Sequence, residues 1–66
     1  KVIEVIGTSP KSWEEAAQSA VDDASRSLND LRVAEVLSFD ATLDDNAKIT
    51  QYRTKLKLSF KYDTSG

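Results

Sequence analysis

The sequence predicts an α+β fold of element order β-α-β-β, and three observations carry that prediction. Residues 33–43 and 49–62 alternate apolar and polar side chains with a period of two, the pattern of half-buried strands. Between them lies Asp44-Asp45-Asn46-Ala47-Lys48, a polar turn of hairpin length. Ahead of both strands, one apolar stripe repeats at the helical period. The helix is therefore a connection between a first strand and a long hairpin, with its stripe over one sheet face.

Residues 1–6 alternate and are rich in β-branched side chains, a strand expected to end at Gly7. Gly7-Thr8-Ser9-Pro10-Lys11-Ser12 reads as the turn into the helix. Ser12-Trp13-Glu14-Glu15 fits a capping box, in which the Ser12 hydroxyl accepts from the Glu15 amide and the Glu15 side chain reaches back. Ser9-Pro10 offers a rival start one turn earlier, with Pro10 at the first helical position. The stripe is Trp13, Ala16, Ala17, Ala20, Val21, Ala24, Leu28 and Leu31, and Asn29-Asp30 is expected to end the helix.

In the second strand, Val33, Glu35, Leu37, Phe39, Ala41 and Leu43 share one face, and Ala34, Val36, Ser38, Asp40 and Thr42 the other. In the third, Tyr52, Thr54, Leu56, Leu58, Phe60 and Tyr62 point one way, and Gln51, Arg53, Lys55, Lys57, Ser59 and Lys61 the other. The expected core is Leu56, Leu58 and Phe60 with Ala34 and Val36. Val33, Leu37 and Phe39 are then left on the opposite face beside a row of cations. An apolar patch of that kind on one open sheet calls for a second subunit.

Composition bounds the function. The chain has 66 residues, with 9 Lys+Arg against 11 Asp+Glu, a net charge of −2, so nothing draws it globally to nucleic acid. It has no Cys, which removes disulfides and thiol chemistry, and no His, which removes the commonest general base and metal ligand. Composition alone predicts no reaction. Apolar runs are too short to span a bilayer and no signal-peptide pattern is visible, so a soluble, cytoplasmic protein is expected, with any segment ahead of Lys1 left open. A chain below roughly 70–80 residues without disulfides completes its core most readily by oligomerisation.

The local motifs are mostly structural. Gly7-Thr8-Ser9-Pro10 lacks the glycine spacing of a dinucleotide fingerprint and the Gly-Lys-Ser/Thr of a phosphate loop. The row Arg53, Lys55, Lys57 and Lys61 could receive an anion, but pairing with acids such as Glu35 on the neighbouring strand is favoured. Asp44-Asp45-Asn46 offers the oxygen ligands that Ca²⁺ prefers without EF-hand spacing, and an Asx turn explains the same residues. Trp13 is read as a packing or interface residue. Glu14-Glu15 and Asp22-Asp23 are adjacent in sequence, so their side chains diverge and make no acid/base dyad.

Lys-Val-Ile-Glu-Val-Ile-Gly-Thr-Ser-Pro-Lys-Ser-Trp-Glu-Glu-Ala-Ala at 1–17, Leu31-Arg32-Val33-Ala34-Glu35-Val36 and Tyr52-Arg53-Thr54-Lys55-Leu56-Lys57-Leu58-Ser59-Phe60 closely resemble the dodecins. The resemblance runs from Lys1 to about Tyr62. It implies a three-stranded antiparallel sheet partly wrapped around one helix, with 1–62 a single domain and 63–66 a frayed tail. It also implies assembly into a hollow homo-dodecamer that stores or sequesters small ligands, FMN and riboflavin in most of the family, without turnover. Flavin-binding dodecins carry a stacking Trp at the position of Val33 and a hydrogen-bonding Gln at the position of Arg53. Both are substituted here: Val33 has no π face, and Arg53 has donors only. The pair resembles a Trp-less subgroup with a calcium-binding member, so calcium is the implied ligand, with flavin storage and a structural assembly with a decayed site as alternatives. The resemblance assigns calcium ligands to no individual position. By chemistry alone the turn acids Asp44 and Asp45, and Asp40, are candidates.

Overall fold

The computed structural model describes residues 2–61, so Lys1, Tyr62 and the expected tail at 63–66 lie outside the described residues. Four elements follow in the expected order: β1 (Val2–Ser9), α1 (Trp13–Ser25), β2 (Leu31–Leu43) and β3 (Ile49–Phe60). They form one antiparallel sheet in the order β1-β3-β2. β1 and β2 therefore run parallel to each other with β3 inserted between them, and α1 is the crossover that joins them. β3, with the cleanest alternation, takes the centre. Its Leu56 and Leu58 are buried under the helix, together with Ala16 and Ala20.

β1 does not stop at Gly7. It runs on to Ser9, with Gly7 opposite Thr54 and Ser9 opposite Tyr52. Glycine is needed there for close approach: a Cβ at Gly7 would collide with the backbone carbonyl of Ala16 and lie 2.9 Å from the Cβ of Ala20. The helix rests directly on the strand, and its alanines are what permit that.

Half of the capping box forms. Ser12 is the N-cap, and its hydroxyl accepts from the Glu15 amide at 3.0 Å. The Glu15 carboxylate turns instead to the buried Ser9, accepting from its hydroxyl at 2.9 Å. The Ser9 oxygen in turn accepts from the amides of Lys11 at 3.0 Å and Ser12 at 3.4 Å. Ser9 thus organises the turn, and the helix starts at Trp13 rather than at Pro10.

The helix also ends earlier than Asn29-Asp30. Its last residue is Ser25, the Leu28 amide closes the final turn on the Ala24 carbonyl at 3.0 Å, and Asp30, at φ 65°, swings the chain into β2. Leu31 continues the helical spacing by number but is a strand residue, and it packs on the same core from β2. The helix covers β1 and β3 and barely touches β2. Of the expected core, Leu56 and Leu58 are buried and Phe60 half-buried, while Ala34 and Val36 stay exposed beyond the helix's reach.

The faces of β2 differ from simple alternation. Ala34 stands opposite Leu58 and Val36 opposite Leu56, but the next pairs are Ser38 with Lys55, Phe39 with Thr54 and Asp40 with Arg53. Leu37 has no partner on β3. Near the turn the opposite happens, since Thr42 pairs with Gln51 and Leu43 with Ile49, leaving Thr50 as the extra residue on β3. Residues 38–42 are thereby displaced by one position relative to both flanks. Phe39, expected on the outer face with Val33, turns to the helix side, and Asp40 turns outward.

Candidate functional site

The outer face of the sheet, away from the helix, gathers the charges. Arg53, Lys55 and Lys57 on β3 meet acids from both neighbours: Asp40 and Glu35 on β2, and Glu4 on β1. Lys57 lies 3.7 Å from Glu35, the partner expected from the pattern, and Lys55 lies 3.4 Å from Glu4. Exposed pairs at such distances contribute at most about 1 kcal/mol each.

Arg53 is held differently. Its Nε donates to Oδ1 of Asp40 at 2.6 Å and its Nη2 to Oδ2 at 2.8 Å, a two-bond fork that matches guanidinium to carboxylate. Those hydrogen bonds hold the Asp40 carboxyl below the usual carboxylate range and raise Arg53 further above its already high value. Ile6, Ser38 and Lys55 complete a shallow recess of about 290 Å³ around the pair.

The other side of Asp40 is anchored to the helix. Trp13 donates from Nε1 to the Asp40 carbonyl at 2.9 Å, and its ring lies edge-on to Tyr52 at 4.7 Å and to Phe39 at 5.9 Å. Thr54, fully buried, donates to the Trp13 carbonyl at 3.0 Å. Trp13 is a packing residue, as its place on the stripe suggests. Beside it, Glu14, Ala17, Val36 and Phe39 line an apolar groove of about 450 Å³.

Val33 and Arg53 share the outer face but are not brought together. Val33 stands opposite Ser59, six residues along β3 from Arg53, which is roughly 20 Å of strand. Val33 offers no ring to stack on a flavin, and two of the Arg53 donors, Nε and Nη2, are engaged by Asp40. The calcium candidates do not converge either. Asp40 is committed to Arg53, and Asp44 closes its own turn by accepting from the amides of Asn46 at 2.8 Å and Lys48 at 3.1 Å. Among the described residues no three metal-ligating side chains meet in one chain. No helix among them is long and apolar enough to cross a membrane.

The sequence reading missed the Asp40–Arg53 fork and the Trp13–Phe39 contact, because both depend on the displacement of residues 38–42. Charge complementarity was the one available signal. Undisplaced pairing would set Phe39 against Arg53 and Asp40 against Tyr52.

Comparison with known proteins gives a consistent result. The family model for Dodecin matches residues 1–63. Calcium dodecin from Mycobacterium tuberculosis is 56% identical over 61 residues, spanning 92% of this chain and 84% of that protein. Its crystal structure, described as that of a calcium-chelating immunodominant antigen with a novel calcium-binding site, superposes with a TM-score of 0.84 at 52% identity, over 100% of this chain and 93% of that one. Dodecin from Streptomyces coelicolor superposes with a TM-score of 0.87 at 33% identity, over 96% and 89% of the two chains.

Proposed function

The chain belongs to the dodecin family, and on that premise we propose that it is a non-catalytic binding or storage subunit whose working form is a homo-dodecamer. The observation that carries this is the imbalance of its apolar groups. Among the described residues the buried hydrophobic set is only Ala16, Ala20, Leu56 and Leu58, while Val2, Ile6, Trp13, Val33, Val36, Leu37, Phe39, Leu43 and Ile49 remain open to water. A core this small contributes little, and an uncovered apolar surface of this extent is the mark of an association interface. Subunits closing on one another supply the missing burial.

The spacing of Val33 and Arg53 supports the same reading. Two positions roughly 20 Å apart along a strand cannot grip one small ligand within one chain, so a site that uses both is shared between chains. Calcium is the ligand we assign, by kinship with the mycobacterial calcium dodecin. Ca²⁺ takes six to eight oxygens, and the described residues of one chain do not assemble that set. Its acids would have to meet those of neighbouring subunits. Bound there, the ion would neutralise like charges that assembly brings together. The lack of His and Cys in the sequence, and of converging acids among the described residues, favours binding over turnover.

Sedimentation at micromolar concentration tests the assembly, with a particle of dodecamer mass expected; a stable monomer overturns it. Melting in millimolar Ca²⁺, in chelator and in monovalent salt of matched ionic strength tests the ion. Ca²⁺ is expected to raise the melting temperature and chelator to lower it. Identical curves remove calcium from the proposal.

A further inference from the structure

The displaced stretch of β2 has a chemical result. It sets an acid, not an aromatic ring, against Arg53, and the acid is fixed from two directions. Trp13 pins its backbone carbonyl to the start of the helix at 2.9 Å, while the Arg53 fork takes both carboxylate oxygens. Leu37 and Thr50, two of the residues the register skips, bracket this stretch. The Thr42 and Thr50 hydroxyls, 2.6 Å apart, tie the second irregularity down. The geometry is thus built into the sheet rather than left to two mobile surface side chains.

The recess around the fork is electrically balanced. Arg53 is matched by Asp40, and Lys55 has Glu4 at 3.4 Å. An arriving anion meets no uncompensated cation. A guanidinium is otherwise the side chain best shaped to receive a phosphate or carboxylate through two parallel bonds. Here the Nε/Nη2 edge of that receptor surface is already occupied by the chain's own carboxylate. The pair is also reachable, with the side chains of Arg53 and Asp40 43% and 52% exposed. What keeps a ligand off is the internal partner rather than burial.

Resting on the reading that Arg53 belongs to a ligand site shared between subunits, we infer that Asp40 is the specificity-determining residue of this site: by occupying the guanidinium of Arg53 it closes the outer-face recess to anions and to the hydrogen-bonding edge of a flavin. The recess is then an anion receptor held shut by one residue, and Trp13 is a positioning residue that acts through the Asp40 backbone.

The test uses the full chain with inorganic phosphate as the probe, read by the NMR shift of the Arg53 Nε–H. Asp40→Ala removes both acceptors of the fork, Asp40→Asn removes its charge and one acceptor, and Glu4→Gln is the control. Each variant changes the net charge by the same single unit, but Glu4→Gln frees Lys55 instead. Both Asp40 variants are expected to bind phosphate at least about tenfold more tightly than the parent. Glu4→Gln should change binding by less than about threefold. The Asp40 variants should also prefer FMN, which carries a phosphate, over riboflavin. Equal gains in all three variants would mean that net charge, not the fork, governs binding, and no gain in the Asp40 variants would mean that Asp40 closes nothing. Either result overturns the inference. A Val33→Trp, Arg53→Gln variant titrated with riboflavin tests the underlying assignment of position 53 separately. If it fails to quench flavin while Asp40→Ala still gains phosphate, the family-site proposal falls and the closed receptor stands.

Discussion

The two stretches of β2 on either side of Leu37 follow the same alternating pattern and acquire different chemistry. Before Leu37, Ala34 and Val36 stand opposite Leu58 and Leu56, as counting by twos requires. After it the count is off by one, so Phe39 lies edge-on to Trp13 and Asp40 faces Arg53. The first stretch borders a core held by apolar packing. The second is held by an aromatic edge, one indole hydrogen bond and one ion-pair fork. Alternation specifies that a segment is a strand, but a single unpaired residue specifies which chemistry each face presents.

That contrast breaks first where the packing is densest. Leu56→Ala, under the helix, is expected to cost about 2–5 kcal/mol in urea unfolding, by lost transfer energy and the cavity left behind. Phe39→Ala, beyond Leu37, removes a largely exposed ring whose specific contribution is its edge contact with Trp13, about 0.5–1.5 kcal/mol. Equal costs at the two positions would erase the distinction between the stretches. Trp13→Phe sharpens it further. It keeps a ring against Tyr52 and Phe39 but removes the bond to the Asp40 carbonyl, with an expected loss of about 0.5–1.5 kcal/mol. The Asp40 amide should then exchange with solvent faster than the amides of the Leu56–Leu58 region; unchanged exchange would show that Trp13 does not hold this strand. The smallest effect lies at the hairpin tip. Ala47 has φ 60°, a left-handed conformation that suits glycine, so Ala47→Gly is expected to stabilise by about 0.5 kcal/mol. A lower melting temperature would contradict that geometry.

Much of the fold was legible. The two long strands, the polar turn, the Ser12 cap and the pairing of the β3 cation row with Glu35 all follow from periodicity and charge, which are local or cross-strand properties. The errors also have physical causes. Leu28 and Leu31 continue the helical spacing past Ser25, so nothing in the pattern marks the stop. Gly7 reads as a strand end because glycine usually weakens strands, whereas here it admits a helix backbone. The unpaired residues that bracket the displaced stretch, Leu37 and Thr50, carry no composition signal at all. For that reason Phe39 was assigned to the wrong face and Asp40 was separated from Arg53. Only the resemblance singles out Val33 and Arg53 as ligand positions, since an aliphatic side chain and one cation in a row of cations do not mark a flavin or calcium site by themselves.

The Asp40–Arg53 fork is the consequence on which the rest depends, and it titrates in a defined direction. The folded-state pKa of Asp40 is lowered by its bonds from Arg53, so the fork's contribution is fully present above the ordinary carboxylate value of about 3.9 and is lost as pH falls through the lowered one. The direct measurement is an NMR pH titration of the Arg53 Nε–H together with the Asp40 carboxyl carbon, from neutral pH downward. The expected result is a slowly exchanging, hydrogen-bonded Nε–H that persists below the ordinary carboxylate value of about 3.9 and disappears together with the Asp40 transition. An Nε–H that exchanges freely at neutral pH, with Asp40 titrating at the ordinary carboxylate value of about 3.9, would contradict the fork and the displaced pairing that creates it.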